Sequence, residues 1–158
     1  MATTDVDRAW ALMEKIGTCM LITWDGERQR ARPMAAHVRP DEHAIYFLTD
    51  AHDEKDGQIE QFPIVTLTFA DVSGQKFVAT TGHATVLQNA VKIRELWSVF
   101  AKVWWDSPED PNIRLLKIEP YDAELWDSPG KIIAAVKMLT VAATGAKLEI
   151  GENKKVAL

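Results

Sequence analysis

Residues 19–26 have the sequence CMLITWDG, an apolar run that ends in a hairpin turn signal. The first six residues are rich in β-favouring types over the length of one strand. Asp25-Gly26 supplies the positive backbone torsion angles that a tight hairpin turn requires. The run therefore predicts a strand that turns back on itself, and the return strand is predicted from about Arg28 to Arg39.

Working outward from this hairpin, the chain alternates short strand-like runs with turn signals. Further strands are predicted at residues 44–49, 64–69, 76–87 and 113–126, and Gly82 is expected to bend the strand that contains it. Helical spacing or capping signals predict peripheral helices at residues 5–17, 53–61, 89–102 and 128–143. An antiparallel sheet of six strands removes exposed edges by closing, so we expect a mainly β, six-stranded barrel with helices around it.

Length and composition are those of one globular domain. The chain has 158 residues, 47% of them apolar and 26% charged, and we expect one domain over residues 1–158 with a short polar C-terminal tail from about 151. The longest nearly apolar stretch, residues 132–144, is interrupted by Lys137 and is shorter than the roughly 20 residues of a membrane span. No membrane partner is predicted.

Net charge limits the classes of partner that are expected, and cysteine content indicates the cellular compartment. The formal net charge of -5 attracts no phosphate polymer, so nucleic acid is not an expected partner. Cys19 is the single cysteine and no secretory leader is recognisable, which favours a reducing cytoplasm. Because Cys19 lies inside an apolar run, it is expected to pack as a small hydrophobic residue rather than act as a nucleophile.

Several chemistries lack their sequence signals. The four histidines have no helical pair spacing and no cysteine companions, so no metal site is predicted. There is no Gly-rich phosphate loop and no Gly-x-Ser-x-Gly motif. The acidic pairs Asp53-Glu54 and Glu109-Asp110 lie in polar stretches, where solvated carboxylates are the simplest interpretation.

Three arginines alternate along the return strand. Arg28, Arg30 and Arg32 would project from one strand face in an otherwise acidic chain. They indicate either a charged edge strand that resists aggregation or an anion site, because guanidinium groups bind phosphate bidentately. Lys55 follows the next strand and adds a second possible cation, although taken alone it is most simply a solvated helix lysine.

Six short motifs follow one another in a specific order between about Asp5 and Leu139. The set comprises Arg32-Pro33-Met34-Ala35, Phe47-Leu48-Thr49-Asp50 with Lys55, Thr81-Gly82-His83-Ala84, Ile93-Arg94-Glu95-Leu96-Trp97, Pro108-Glu109-Asp110-Pro111 and Glu124-Leu125-Trp126-Asp127-Ser128-Pro129. In these motifs the chain resembles the pyridoxamine phosphate oxidase-like, FMN-binding split barrels, and among them the general stress protein branch.

The resemblance implies a split barrel that holds FMN and a homodimer with the flavin at the subunit interface. It places cofactor-binding residues at Arg30, Arg32, Pro33, Met34, Phe47, Leu48, Thr49, Asp50 and Lys55. Trp105 and Trp126 are added as candidates, because the six tryptophans of the chain fit an aromatic-rich cleft or dimer interface. It implies a flavin-dependent oxidoreductase of unknown substrate, for which no catalytic residue is assigned. A non-catalytic flavin carrier, buffer or sensor, a deazaflavin- or haem-binding barrel, and FAD in place of FMN stay open as alternatives.

Asp53-Glu54 departs from the family pattern, which has Ser two residues before the lysine. A carboxylate at Asp53 would repel a dianionic phosphate unless it turns away. Two interpretations are open: Asp53 lies beside the phosphate and weakens FMN binding, or it caps the helix and points into solvent.

Overall fold

The computed structural model describes residues 3–127, 138–139, 142–143, 145 and 152–158. Within these residues the strands are β1 (Thr18–Trp24), β2 (Gln29–Ala35), β3 (His37–Arg39), β4 (Ala44–Asp50), β5 (Ile64–Asp71), β6 (Lys76–Leu87), β7 (Ile113–Asp127) and β8 (Glu152–Ala157). The α-helices whose two ends are described are α1 (Asp5–Ile16), α2 (Glu54–Gln61) and α3 (Ala90–Leu96). Short 3₁₀ helices cover Pro40–Glu42 and Val99–Val103.

The strands form one antiparallel sheet in the order β2-β1-β5-β6-β7-β4-β3, with β8 also paired to β7. The long strand β7 pairs with β6 along its whole length. Its other edge is divided, since residues 113–118 pair with β4 and residues 122–127 pair with β8. The curled sheet is a split barrel, which confirms the predicted mainly β fold class, although eight strands are found in the described residues where six were predicted.

The two additional strands have separate causes. The predicted return strand is interrupted at Ala36, whose N–H donates to the Gly17 carbonyl at 2.7 Å, so that β2 pairs with β1 while β3 pairs with β4. Residues 152–157 of the predicted polar tail form β8, which the sequence did not predict as a strand. Backbone groups of β7 beyond its pairing with β4 need hydrogen-bond partners, and backbone pairing does not depend on polar side chains.

The helix predictions differ in accuracy. Helix α1 begins after the Thr4 capping box and ends at Gly17 in a left-handed conformation, as expected. The helix predicted over 89–102 is broken, because Trp97 has an extended backbone (ψ 135°) between α3 and the 3₁₀ helix Val99–Val103. Most of the helix predicted over 128–143 lies outside the described residues.

Two apolar clusters lie on opposite faces of the sheet. The larger fills the barrel and includes Phe47, Phe69 and Leu116 together with Met13 from α1 and Ile59 from α2. The smaller packs α3 and Trp105 against the outer face of β4 and β7. Helix α2 thus covers one end of the barrel, where β1 and β4 finish.

Gly82 marks the bend predicted in β6. The pairing of β6 with β7 shifts register between Thr81 and Gly82. A Cβ at this position would lie 2.5 Å from the Glu119 carbonyl oxygen, so only glycine allows the two backbones to approach this closely.

Candidate functional site

Polar side chains from β1, β2, β4 and α2 meet where α2 covers the barrel. Thr23 at the end of β1 and Thr49 at the end of β4 are both buried on the inner face of the sheet. Thr49 Oγ1 donates to Asp56 Oδ1 at 3.1 Å, and Thr23 Oγ1 donates to Gln58 Oε1 at 3.4 Å. We call Thr23, Arg32, Thr49, Asp53, Lys55 and Asp56 the barrel-end cluster.

Arg32 is the arginine of β2 that enters this cluster. Its two terminal nitrogens each donate to Thr23 Oγ1 at 3.1 Å, and burial lowers its pKa. Arg30 is directed elsewhere, because its Nε donates to Asp25 Oδ2 at 2.9 Å in the β1–β2 turn and its side chain is 48% exposed. Arg30 lies opposite Thr23 in the register of β1 and β2, but of these two arginines it is Arg32 that donates to a member of the barrel-end cluster.

Lys55 is a buried cation, which corrects the interpretation of a solvated helix lysine. The residue is only 4% exposed, and its Nζ donates to Asp53 Oδ2 at 2.6 Å. The other oxygen of Asp53 accepts from the Lys55 backbone N–H at 3.0 Å and caps α2. Asp53 therefore caps the helix and also neutralises the lysine, so it combines parts of the two interpretations left open by the sequence.

The pKa of Asp53 reflects these contacts. Burial raises it, but the hydrogen bonds from Lys55 outweigh burial, and the charges of Lys55 and Arg32 lower it further. The net result is a pKa below the ordinary aspartate value. Asp53 is thus ionised at neutral pH and lies within the electrostatic reach of both cations of the cluster.

Asp56 is a buried carboxyl group that is only half satisfied. The residue is 6% exposed, and its Oδ1 accepts from Thr49, but its Oδ2 has no hydrogen-bond partner among the described residues. Burial raises the pKa of Asp56, although the charge of Lys55 and the Thr49 hydroxyl oppose this effect. A buried oxygen of this kind marks a position where a hydrogen-bond donor is missing.

The remaining predicted site residues are spread over the fold. Phe47 is fully buried in the barrel core, Met34 packs against that core and Pro33 is exposed on β2. Leu48 faces the opposite side of the sheet and packs against the smaller cluster. These four positions surround the barrel-end cluster in sequence, but none of them contributes a polar group to it.

Asp50 and the two predicted tryptophans also separate. Trp105 Nε1 donates to Asp50 Oδ2 at 2.9 Å, which ties the segment after α3 to the end of β4. Trp126 lies on β7 twelve residues beyond Arg114, the residue paired with Thr49, and this separation is about 40 Å along a strand. Trp126 is therefore not brought to the barrel-end cluster of its own chain.

Thr23, Asp56 and Gln58 were not predicted as site residues from the sequence. Thr23 had a usable signal, since it is the last inward position of a strand that alternates buried and exposed residues. Asp56 and Gln58 had none, because polar residues in a short polar helix normally face solvent. Only the packing of α2 on the barrel buries Asp56 and brings Gln58 to Thr23.

The donor set of the cluster suits a phosphate-bearing ligand in kind. A guanidinium, an ammonium and two hydroxyl groups are groups that bind phosphate. Lys55 is, however, paired with the carboxylate of Asp53, whose pKa is also lowered by the charge of Arg32, and the carboxyl group of Asp56 lies near Lys55. Within the cluster, Asp56 Oδ2 is buried and has no hydrogen-bond partner among the described residues.

Other chemistry is not supported by the described residues. Burial raises the pKa of Cys19 to about 12, which confirms that it packs as a hydrophobic residue and forms no thiolate at neutral pH. No three metal-binding side chains meet in the part of the chain that the structure describes. A hollow of about 530 Å³ between β6, β7 and β8 contains no member of the barrel-end cluster.

None of the described helices has the length and apolar content needed to cross a bilayer.

The protein is a split barrel in which Arg32 and Lys55 both lie near Asp53, where α2 covers one end of the barrel. Comparison with known proteins identifies its family. The chain belongs to the pyridoxamine 5'-phosphate oxidase like family, whose sequence profile matches residues 4–149. The resemblance inferred from the motifs is thereby confirmed.

Among individual relatives, the chain is similar to general stress protein 26 of Bacillus subtilis (strain 168), with 26% identity over 115 residues that cover 70% of this chain and 82% of that protein. A solved structure assigned as a general stress protein 26 from Jannaschia sp. CCS1 has a TM-score of 0.81 at 22% identity and covers 98% and 99% of the two chains. The general stress FMN/FAD binding protein of Xanthomonas citri has a TM-score of 0.67 at 24% identity, with 76% and 86% covered.

Proposed function

We propose that this protein binds a flavin, with FMN as the cofactor and its phosphate at the barrel-end cluster. The observation that carries the proposal is the pair of cations, Arg32 and Lys55, held with two threonine hydroxyls at one end of the barrel. A cation as buried as Lys55 is costly unless it serves a binding or structural purpose. The flavin named in the Xanthomonas citri relative supports the same ligand class.

We propose further that the flavin-loaded protein is an oxidoreductase that accepts electrons from a reduced nicotinamide and passes them to an acceptor of unknown identity. A bound flavin supplies the redox chemistry itself. The residues of this chain would bind and orient it, through Arg32 and Lys55 at the polar end and through the predicted contacts around Met34 and Asp50. Arg30, Pro33, Phe47, Leu48, Trp105 and Trp126 stay predictions as flavin contacts.

The first test is the identity of the ligand. Protein purified from cells is denatured, and the released small molecule is measured by absorbance and mass spectrometry. FMN supports the proposal, FAD or a deazaflavin corrects the cofactor within the same ligand class, and haem or no ligand after incubation with flavins contradicts it. Arg32→Ala and the charge-matched control Arg28→Ala are loaded in parallel, and only the first is expected to lose flavin.

The second test separates an enzyme from a carrier. Flavin-loaded protein is mixed anaerobically with reduced nicotinamides, and the flavin absorbance is followed. Rapid bleaching supports an oxidoreductase. A flavin that stays oxidised with nicotinamides and with other electron donors indicates the carrier, buffer or sensor that the sequence left open, and it leaves flavin binding itself unaffected.

We propose that the protein is a homodimer with the flavin near the subunit interface. The 3₁₀ segment and the residue after it expose four large apolar side chains, Val99, Phe100, Val103 and Trp104, which are 68–80% exposed. A contiguous apolar segment of this kind is typical of an interface. Because Trp126 is far along β7 from Thr49, it would reach a flavin at this cluster only from a second copy of the chain.

Sedimentation at micromolar protein, with and without flavin, tests the dimer. Phe100→Glu with Val103→Glu is expected to shift the protein from dimer to monomer and to weaken flavin binding. A wild-type protein that sediments as a monomer with flavin bound contradicts the proposal.

A further inference from the structure

Asp56 stands out because its burial and its incomplete bonding are hard to reconcile in a protein without a ligand. It is the third residue of α2, it is 94% buried, and Oδ2 has no partner among the described residues while Oδ1 accepts from Thr49. A buried ionised carboxylate with a free oxygen is unfavourable. The same carboxyl in its protonated form carries a hydrogen that Oδ2 can donate.

The groups around Asp56 define the charge that it experiences. On α2, Lys55 attracts its negative charge, while Asp53 and Glu60 repel it. On β4 the Thr49 hydroxyl donates to it, and on β2 Arg32 is engaged with Thr23 of β1. The inner positions of β6, Val78, Thr80, Gly82 and Ala84, carry no titratable side chain, and His83 lies on the opposite face of that strand. Lys55, which is in contact with Asp53, is thus the main cation that offsets the negative charges of both Asp53 and Asp56.

A phosphate monoester at this cluster would add about two negative charges beside that carboxyl group. Two carboxyl groups, Asp53 and Asp56, already lie near the cations of the cluster, so an additional dianion meets no excess positive charge while Asp56 is ionised. Protonation of Asp56 removes one repulsive charge and converts its free oxygen from an acceptor into a donor that faces a phosphate acceptor. The structure offers Asp53 no such change, because its oxygens already accept from Lys55.

We propose that Asp56 is a specificity-determining residue that couples phosphate binding to proton uptake: FMN binds together with one proton from solvent, which is held on Asp56 and hydrogen-bonded to the flavin phosphate. This inference rests on the proposed function, since it needs a flavin phosphate at the barrel-end cluster. The raised pKa of the buried Asp56 carboxyl agrees with it. Riboflavin, which has no phosphate, binds without this proton.

The experiment is calorimetric titration of the apoprotein with FMN and with riboflavin at pH 7.5, in two non-phosphate buffers of different ionisation enthalpy. The difference between buffers measures the protons taken up. Wild-type protein is expected to take up about one proton per FMN and none per riboflavin. Asp56→Asn, which resembles the protonated carboxyl in shape, is expected to take up about one proton fewer and to bind FMN about tenfold more tightly, with riboflavin affinity unchanged.

Glu60→Gln is the matched control. It removes the same charge from the exposed side of α2, and it is expected to keep the proton uptake of the wild type. Thr49→Val is a second variant that removes the hydrogen bond to Asp56 without changing charge, and its proton uptake is expected to stay near one because the carboxyl remains buried.

The outcomes separate the inference from the proposed function. Equal proton uptake by wild type and Asp56→Asn, or uptake with riboflavin as well as with FMN, overturns the role of Asp56 while flavin binding stands. Failure of wild-type protein to bind FMN, FAD and riboflavin overturns the proposed function and the inference together.

Discussion

Asp127 and Asp56 are both carboxyl groups with low exposure near the ends of secondary-structure elements, yet their surroundings shift their pKa values in opposite directions. Asp127 at the end of β7 accepts from Arg8 of α1 at 2.8 Å and from Lys76 of β6. Burial raises its pKa, but the hydrogen bonds and charges of the two cations outweigh burial, so the net pKa is below the ordinary value. Asp56 has one hydroxyl donor, one free oxygen and a raised pKa.

A structural ion cluster and a candidate site differ in whether the protein itself provides partners for their buried polar atoms. Asp127 joins a helix to two strands, and both of its oxygens have partners, so a ligand has nothing to complete there. Asp56 has one oxygen that accepts from Thr49 and one buried oxygen without a partner among the described residues, so the protein groups described do not fill its hydrogen-bonding capacity. An unpartnered buried oxygen, rather than the presence of charge, therefore distinguishes the surroundings of Asp56 from the ion pairs of Asp127.

The largest effect is expected from Arg32. Arg32→Ala should weaken FMN binding by about 2–3 kcal/mol, or roughly 100-fold, and Lys55→Ala should weaken it less, because a bidentate guanidinium loses less entropy per hydrogen bond than an ammonium. Flavin titrations of both variants, with Arg28→Ala as the charge-matched control, measure the difference. Equal or reversed losses would show that the phosphate pocket is assigned wrongly.

A smaller effect is expected at the satisfied carboxylate. Asp127→Asn should lower the free energy of unfolding by about 2 kcal/mol at pH 7, because it leaves Arg8 and Lys76 without their shared anion. Since the folded pKa is lowered, this stability is present above the unfolded pKa of about 3.9 and is lost as the pH falls through the folded value. Urea unfolding at pH 7 and pH 3 should show the difference shrinking; an equal difference at both pH values contradicts it.

Asp56→Asn is expected to act with the opposite sign, and it sharpens the comparison directly. Its folded pKa is raised, so ionisation at pH 8 opposes folding, and the amide should stabilise the apoprotein by about 1 kcal/mol there. The favourable contribution of the protonated wild-type group is present below the unfolded pKa and is lost as the pH rises through the folded pKa. The gain should therefore fall toward zero near pH 4 in the same unfolding assay. Destabilisation at pH 8 would place Asp56 with Asp127 as a structural residue.

Asp53→Ser tests the partner of Lys55. Serine keeps the helix cap and releases Lys55 from its ion pair, so FMN should bind more tightly by about 1 kcal/mol, and less so at high ionic strength because salt screens the repulsion. Riboflavin is the matched ligand and should show no gain. A gain for both ligands, or for neither, would remove Asp53 from the neighbourhood of the phosphate.

The smallest effect is expected from Cys19. Its pKa of about 12 and its burial predict that the folded protein reacts with a thiol reagent at pH 8 no faster than it unfolds. Fast labelling of native protein, compared with protein in denaturant, would contradict the packing of β1.

Much of the barrel was predictable because its strands are encoded locally. The run at residues 19–24, the Asp25-Gly26 turn and the capped helix α1 depend on β-propensity, a left-handed glycine and a threonine cap, and each is readable within a few residues. Strand β8 was missed because its pairing depends on the free edge of β7, more than twenty residues earlier, and its own lysines resemble a solvated tail. The break at Trp97 likewise depends on how α3 packs, which the helical spacing of its apolar residues does not reveal.

The residue types of the site are evident from the sequence: alternating arginines on β2, a lysine after β4 and an acidic pair beside it. The fold sets their partners: Arg30 pairs with Asp25 while Arg32 donates to Thr23, Lys55 is buried against Asp53, and Asp56 keeps an oxygen without a partner among the described residues. These contacts form where α2 closes on the ends of β1 and β4, so they join residues from separate parts of the chain and depend on burial that no local pattern specifies. The charge of a side chain follows from the residue type, whereas its burial and its hydrogen-bond partners depend on the fold.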